Sequence, residues 1–170
     1  MQIKIIEVKN NRELKAFISF PLKLYKTDQH FVFEPFMFQK DFFSKKNPFF
    51  EHSEAQYYIA KSGNKIVGRI ASITNSIHNK TYNEKTGFFG FFEVVEDYAV
   101  AKLLLDKVKE VQDANGFNRV IGPTNFTTND SCGFLISGFD NDPVFLMPYN
   151  KPYYPDFLCS GRRNTFKEGS

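Results

Sequence analysis

The residues of this chain whose types can exchange protons or orient a polar ligand gather in its second half. Glu93 closes the aromatic run GFFGFFEV, Glu96 and Asp97 follow at once, Asn125 and Asn129 lie in PTNFTTND, and Tyr149, Tyr153 and Tyr154 lie in PYNKPYYP. Carboxylates and phenols are the usual carriers of general acid–base chemistry. Each residue also has an ordinary structural role. Glu93 suits a helix N-terminus, where the macrodipole favours a carboxylate. The asparagines are turn formers and the tyrosines pack against proline. Cys132 in NDSCG has no histidine near it in sequence, as a nucleophilic thiol would require. His30, His52 and His78 are widely separated and lack zinc-ligand spacing, so no metal is expected. Neither a P-loop nor a dinucleotide glycine fingerprint is present.

The elements that must position these residues are clearest from Gly87 to Asn125. An aromatic strand is followed by EDYAVAKLLLDKVKEVQDANG, where Val100, Leu103, Leu104, Val108 and Val111 recur at helical spacing, and then by FNRVIGP, a β-branched run. Asp97 is placed to cap the helix, and Asn115-Gly116 to end it. This is a βαβ unit, so the strands Gly87 to Val94 and Phe117 to Pro123 should be parallel neighbours diverging at their C-terminal ends. Val100, Leu104, Val108 and Val111 should be buried, since Lys102, Asp106, Lys109 and Asp113 occupy the opposite face.

The 170 residues suit one domain able to bury a core. With 22 basic and 19 acidic residues mixed along the chain, the charge of +3 is too small and too mixed to argue for nucleic acid, and none is expected as a partner. No window approaches the roughly 20 apolar residues of a membrane span, and the start has no signal-like run; a soluble, cytoplasmic protein with reduced Cys132 and Cys159 is expected. Phenylalanine pairs at 42–43, 49–50, 88–89 and 91–92 suggest strands covered on both faces.

Earlier in the chain, Ile3 to Val8 reads as a strand leading to a helix capped near Asn11 that carries Leu14, Phe17 and Ile18, with a break allowed at Pro21. A short helix is expected near Phe36 to Phe43. AQYYIAKSGNKIVGRIASITN is a hairpin turning at Ser62-Gly63-Asn64. Ser76 to Thr86 reads as an exposed loop with at most a turn of helix. Beyond the βαβ unit, Thr127 to Gly138 should contain a short helix or turn, Pro143 to Tyr154 a strand that becomes irregular, and FLCSGRRNTFKEGS a fraying tail. The expected division is residues 1–158 as one domain and 159–170 as an irregular tail.

The order strand, helices, hairpin, long strand, helix, strand resembles the acyl-CoA-dependent N-acyltransferase superfamily known as GNAT. The phrases FISFPLKLYKTD, NPFFEHSEAQYYIA, GNKIVGRIASITN, GFFGFFE, VIGPTNFTTNDSCGFLISGFD and MPYNKPYY resemble, more narrowly, a group of bacterial GNAT-like proteins named by analogy of fold. The resemblance implies an α+β fold: a mixed, mostly antiparallel sheet with one parallel βαβ unit, a splayed strand pair, and helices on both faces. Members of the group are about twice as long. A fragment, a shortened member or a disrupted end after Cys159 is therefore expected, with a second GNAT-like region or a homodimer as possible partner.

What the resemblance implies for chemistry is transfer of an acyl group from acetyl-CoA or another acyl-CoA to a small-molecule or peptide amine. Glu93 would be the base, with Tyr149, Tyr153 or Tyr154 as acid. Pantetheine would lie along Phe91, Phe92, Val94 and Val95, and pyrophosphate on the amides near Asp97, Tyr98 and Ala99 at the helix start. Asn125, Asn129 and Tyr154 would orient the acceptor. The chain departs from the family at VVEDYAVA, which has no glycine and brings two carboxylates to where phosphates approach. Pyrophosphate is admitted only if Glu96 and Asp97 turn outward or cap the helix, so CoA binding is expected to be weak or absent. The competing expectation is a catalytically silent GNAT-like module that packs against a partner.

Overall fold

The computed structural model describes residues 2–127, 129–144 and 147–160. β1 (Ile3–Glu7), β2 (Ser53–Ser62), β3 (Lys65–Asn75), β4 (Thr86–Val94) and β5 (Arg119–Ile121) form one sheet in the order β1-β2-β3-β4-β5. The first three pairings are antiparallel, and β4 with β5 is parallel. The hairpin turns at Gly63, whose φ is +57°. α4 (Tyr98–Ala114) covers one sheet face with Val100, Ala101, Leu104 and Val108 buried against Ile70, Phe89, Phe92 and Val94. α1 (Asn11–Leu24) and α2 (Phe36–Phe42) cover the other, where Phe17, Ile18 and Phe43 meet Ile59, Ala71, Ile73, Phe88 and Phe91. The mixed α+β fold and the parallel βαβ unit are those expected.

Several local expectations need correction. The cap of α1, expected near Asn11, is Asn10: Asn10 accepts from the Glu13 N–H while the Glu13 carboxylate accepts from the Lys9 N–H. The helix does not break at Pro21 but continues to Leu24. Proline removes the N–H that would bond the Phe17 carbonyl, and Arg69 Nη1 supplies a donor to that carbonyl instead, at 3.0 Å. Ser76–Tyr82 is a helix, α3, rather than a loop; Asn75 caps it and Asn83 ends it in the left-handed region. On α4, Leu103 is exposed and Val111 half-buried, while Gln112 is buried, donating to Ser72 Oγ and the Ile73 carbonyl.

The pairs Phe42-Phe43 and Phe49-Phe50 belong to α2 with its C-cap and to a 3₁₀ turn, not to strands. The described part of Thr127 to Gly138 forms turns without a helix. The described part of Pro143 to Tyr153 contains no strand; Phe145 and Leu146 lie outside the described residues. Tyr154–Ser160 forms α5 where fraying was expected, and the rest of the tail lies outside the described residues.

A bulge in β4 decides which way its side chains face. Arg69 pairs with Glu93 and Ala71 with Gly90, so Phe91 and Phe92 together oppose Ile70. Phe91 takes up the extra residue at φ +50°. Phe88 and Phe91 therefore face α1 while Phe89 and Phe92 face α4. Glu93 is brought to the α1 side, beside Arg69.

Gly90 fixes the bulge from the other flank. A Cβ there would fall 2.0 Å from the Thr124 carbonyl oxygen, which is backbone and cannot turn aside. Gly90→Ala is expected to cost about 1–3 kcal/mol or more. An unchanged midpoint in urea denaturation would contradict this account of the bulge.

Candidate active site

The partly buried Glu93 carboxylate is the centre of the candidate site. Tyr25, at the C-cap of α1, donates its hydroxyl to Glu93 Oε2 at 2.8 Å, and Tyr154, the first residue of α5, donates to the same oxygen at 2.7 Å. Burial is the main cause of a raised Glu93 pKa, opposed by the charge of Arg69 and by the two hydroxyls. Burial likewise raises Tyr25 and Tyr154, with the Glu93 charge adding to it. Burial lowers Arg69, while Glu93 holds it up. Glu93 is thus a desolvated carboxylate with two fixed donors, an arrangement able to accept a proton at higher pH than an ordinary carboxylate.

Beside it lies a small polar cavity of about 70 Å³, lined by Arg69, Phe91, Glu93, Asn125, Tyr149 and Asn150 among others. A second network adjoins it through Tyr149. Tyr149 donates to Asp28 Oδ1 at 2.7 Å and Lys151 to Asp28 Oδ2 at 3.1 Å, while the Lys151 ammonium also lies 4.6 Å from the centre of the Tyr25 ring. The Tyr149 hydroxyl is pushed up to about 12, by burial first and then by Asp28. A larger groove of about 530 Å³ runs between α4, β5 and α5. Its polar wall includes the i,i+4 pairs Lys102–Asp106 and Lys109–Asp113, ordinary helix-surface contacts that leave it without a reactive centre.

Among the catalytic candidates, Glu93 and Tyr149 line the cavity together, but the Tyr149 hydroxyl is committed to Asp28. Tyr153 donates to the Val94 carbonyl at 2.7 Å. Among the acceptor candidates, Asn125 lines the cavity and its Oδ1 accepts the Phe91 N–H at 2.8 Å, holding the bulge. Asn129 is exposed and bonds through its N–H to Thr127 Oγ1. Tyr154 is fully buried against Glu93. Tyr25 and Arg69 were not singled out in the sequence. Tyr25 follows a proline at which a break in the helix was allowed, whereas Arg69 offered a usable signal as the lone charge inside GRIASI.

The fit of acyl-CoA can be tested on the edge of β4. The β4–β5 ladder ends at Phe88–Ile121, and the edge beyond is filled by the chain's own groups. Thr124 N–H bonds the Phe89 carbonyl, Asn125 takes the Phe91 N–H, and Val94 gives its N–H to Tyr154 while its carbonyl accepts from the Tyr153 hydroxyl. Phe92 turns its ring to the α4 side, and Val95 bonds back to Val67 on β3. At the helix start, Asp97 takes the Ala99 N–H at 2.9 Å, and the exposed Tyr98 ring faces Phe157. In this arrangement the strand edge does not fit a pantetheine arm and the helix start is acidic. Among the described residues no group of three or more His, Cys, Asp or Glu could hold a metal ion, and no helix is long and apolar enough to cross a membrane.

The antiparallel meander closed by one parallel βαβ unit, with helices on both faces, is a GNAT-type fold. Comparison with known proteins found that no family model matches the chain. It is 34% identical over 145 residues to protein YghO of Escherichia coli K12, covering 85% of this chain and 37% of that protein. It is 35% identical over 153 residues to the bacterial ceramide synthase of Caulobacter vibrioides, covering 89% and 40%. The chain thus spans about two fifths of the length of the curated relatives it matches. Among solved structures, it is similar to a GNAT-family acetyltransferase from Staphylococcus aureus, at a TM-score of 0.49 and 21% identity over 74% of this chain and 75% of that one.

Proposed function

We propose that this chain supplies the acceptor side of an N-acyltransferase, in which an amine enters the cavity beside Glu93 and the carboxylate takes its proton. The observation that carries this reading is the Glu93 carboxylate itself: desolvated, held by two tyrosine hydroxyls and turned toward a polar cavity. The Caulobacter relative supports the same type of bond, since ceramides are amides. Acyl-CoA is the donor class that the resemblance implies. Because the β4 edge is filled, the donor would be held with the help of a second GNAT-like region or a second copy. A silent GNAT-like module is the second reading, and the same filled edge favours it.

Incubating the chain with acetyl-CoA or a long-chain acyl-CoA and a panel of amines, while following thiol release, tests the proposal. Amine-dependent release is expected. Its absence with every donor and amine tried would leave the silent module.

A further inference from the structure

Arg69 holds a charge that the fold leaves incompletely answered. It is 7% exposed, lies directly across β3–β4 from Glu93 and lines the same cavity. Its Nη1 is committed to the Phe17 carbonyl, and its guanidinium lies 4.9 Å from the centre of the Phe17 ring. Nε is buried without a hydrogen-bond partner. A guanidinium carries five N–H donors, and buried polar groups in folded proteins nearly always find partners. Of the other charges nearby, Lys151 and Asp28 already answer one another.

Glu93 is the compensating charge for Arg69 across the strand pair. Once Glu93 accepts a proton, that compensation is lost and Arg69 is answered only by a carbonyl and a ring face. An incoming anion would restore the balance, and guanidinium forms strong charge-assisted hydrogen bonds with carboxylate. Arg69 and Glu93 stand directly opposite one another on adjacent strands and line the same small cavity, so the ammonium and the carboxylate must lie close together on the ligand.

We propose that the acceptor is an amine bearing a carboxylate on the carbon next to its nitrogen, the ammonium facing Glu93 and the carboxylate facing Arg69. This rests on the reading of Glu93 as the acceptor's base. Calorimetric titration of the full chain with 2-aminohexanoate, its methyl ester and hexylamine tests it. Binding of 2-aminohexanoate about tenfold or more tighter than the ester or hexylamine is expected, with the preference lost in Arg69→Gln. If that variant does not fold, the comparison of acid with ester in the unmodified chain still decides. Equal binding of the three amines, or a preference that survives Arg69→Gln, overturns the inference and leaves the acceptor reading standing. Binding of none of them overturns both.

Discussion

Glu93→Gln is expected to lower amine acylation by about 10²- to 10⁴-fold, the usual contribution of a positioned base, without unfolding the chain. Glutamine keeps the shape and an oxygen for the Tyr25 and Tyr154 hydroxyls, but it cannot take a proton. The pH dependence separates chemistry from stability. Because burial raises the Glu93 pKa in the folded state, the folded chain holds that proton more tightly than the unfolded chain does. Its contribution is therefore fully favourable below the unfolded carboxylate value and falls as pH rises through the raised folded value. Activity should climb over that same window, since the base form appears there. The wild type should thus gain rate while losing stability, and the glutamine variant should show neither slope. Rate profiles and thermal melts between pH 4 and pH 9, a span of about 5 units around the carboxylate range, provide the check. A glutamine variant as active as wild type would remove Glu93 from the chemistry.

How far these residues could be recognised in the chain alone depended on whether local pattern or distant contact placed them. The βαβ unit and the hairpin were legible because apolar periodicity and turn residues lie close together in sequence. α3 was not, because SIHNKTY has no sustained apolar stripe; Asn75 and the left-handed Asn83 define its ends instead. Glu93 was found at the end of its strand. The direction it faces depends on the bulge at Phe91, for which Gly90 was the available signal. Tyr25 meets Glu93 across 68 residues and Tyr154 across 61, separations no local pattern encodes. Arg69 and Pro21 form the least legible pair, since the proline frees a carbonyl that the arginine of another element then takes.

Tyr154→Phe should have the larger structural effect of the two tyrosine deletions at Glu93. Tyr154 is fully buried, and its hydroxyl both accepts the Val94 N–H at 2.8 Å and donates to Glu93 at 2.7 Å. Phenylalanine fills the same space but leaves a buried backbone donor unpaired, a loss of about 1–3 kcal/mol. For a chain of this size each kcal/mol lowers Tm by roughly 2–4 °C. Tyr25→Phe removes the other donor to Glu93 and leaves Val94 untouched. Both variants should raise the Glu93 pKa further, because each deletes a hydrogen bond to its ionised form, and the pH–rate midpoint should move upward in both. Hydrogen exchange at the Val94 amide should accelerate in Tyr154→Phe alone. That asymmetry isolates the link between α5 and the edge of β4: Tyr154 ties the base and the strand edge together, whereas the Tyr25 hydroxyl bonds the base and not Val94. Equal exchange at Val94 in the two variants would show that α5 does not hold the strand edge, and would reopen that edge to a thioester donor.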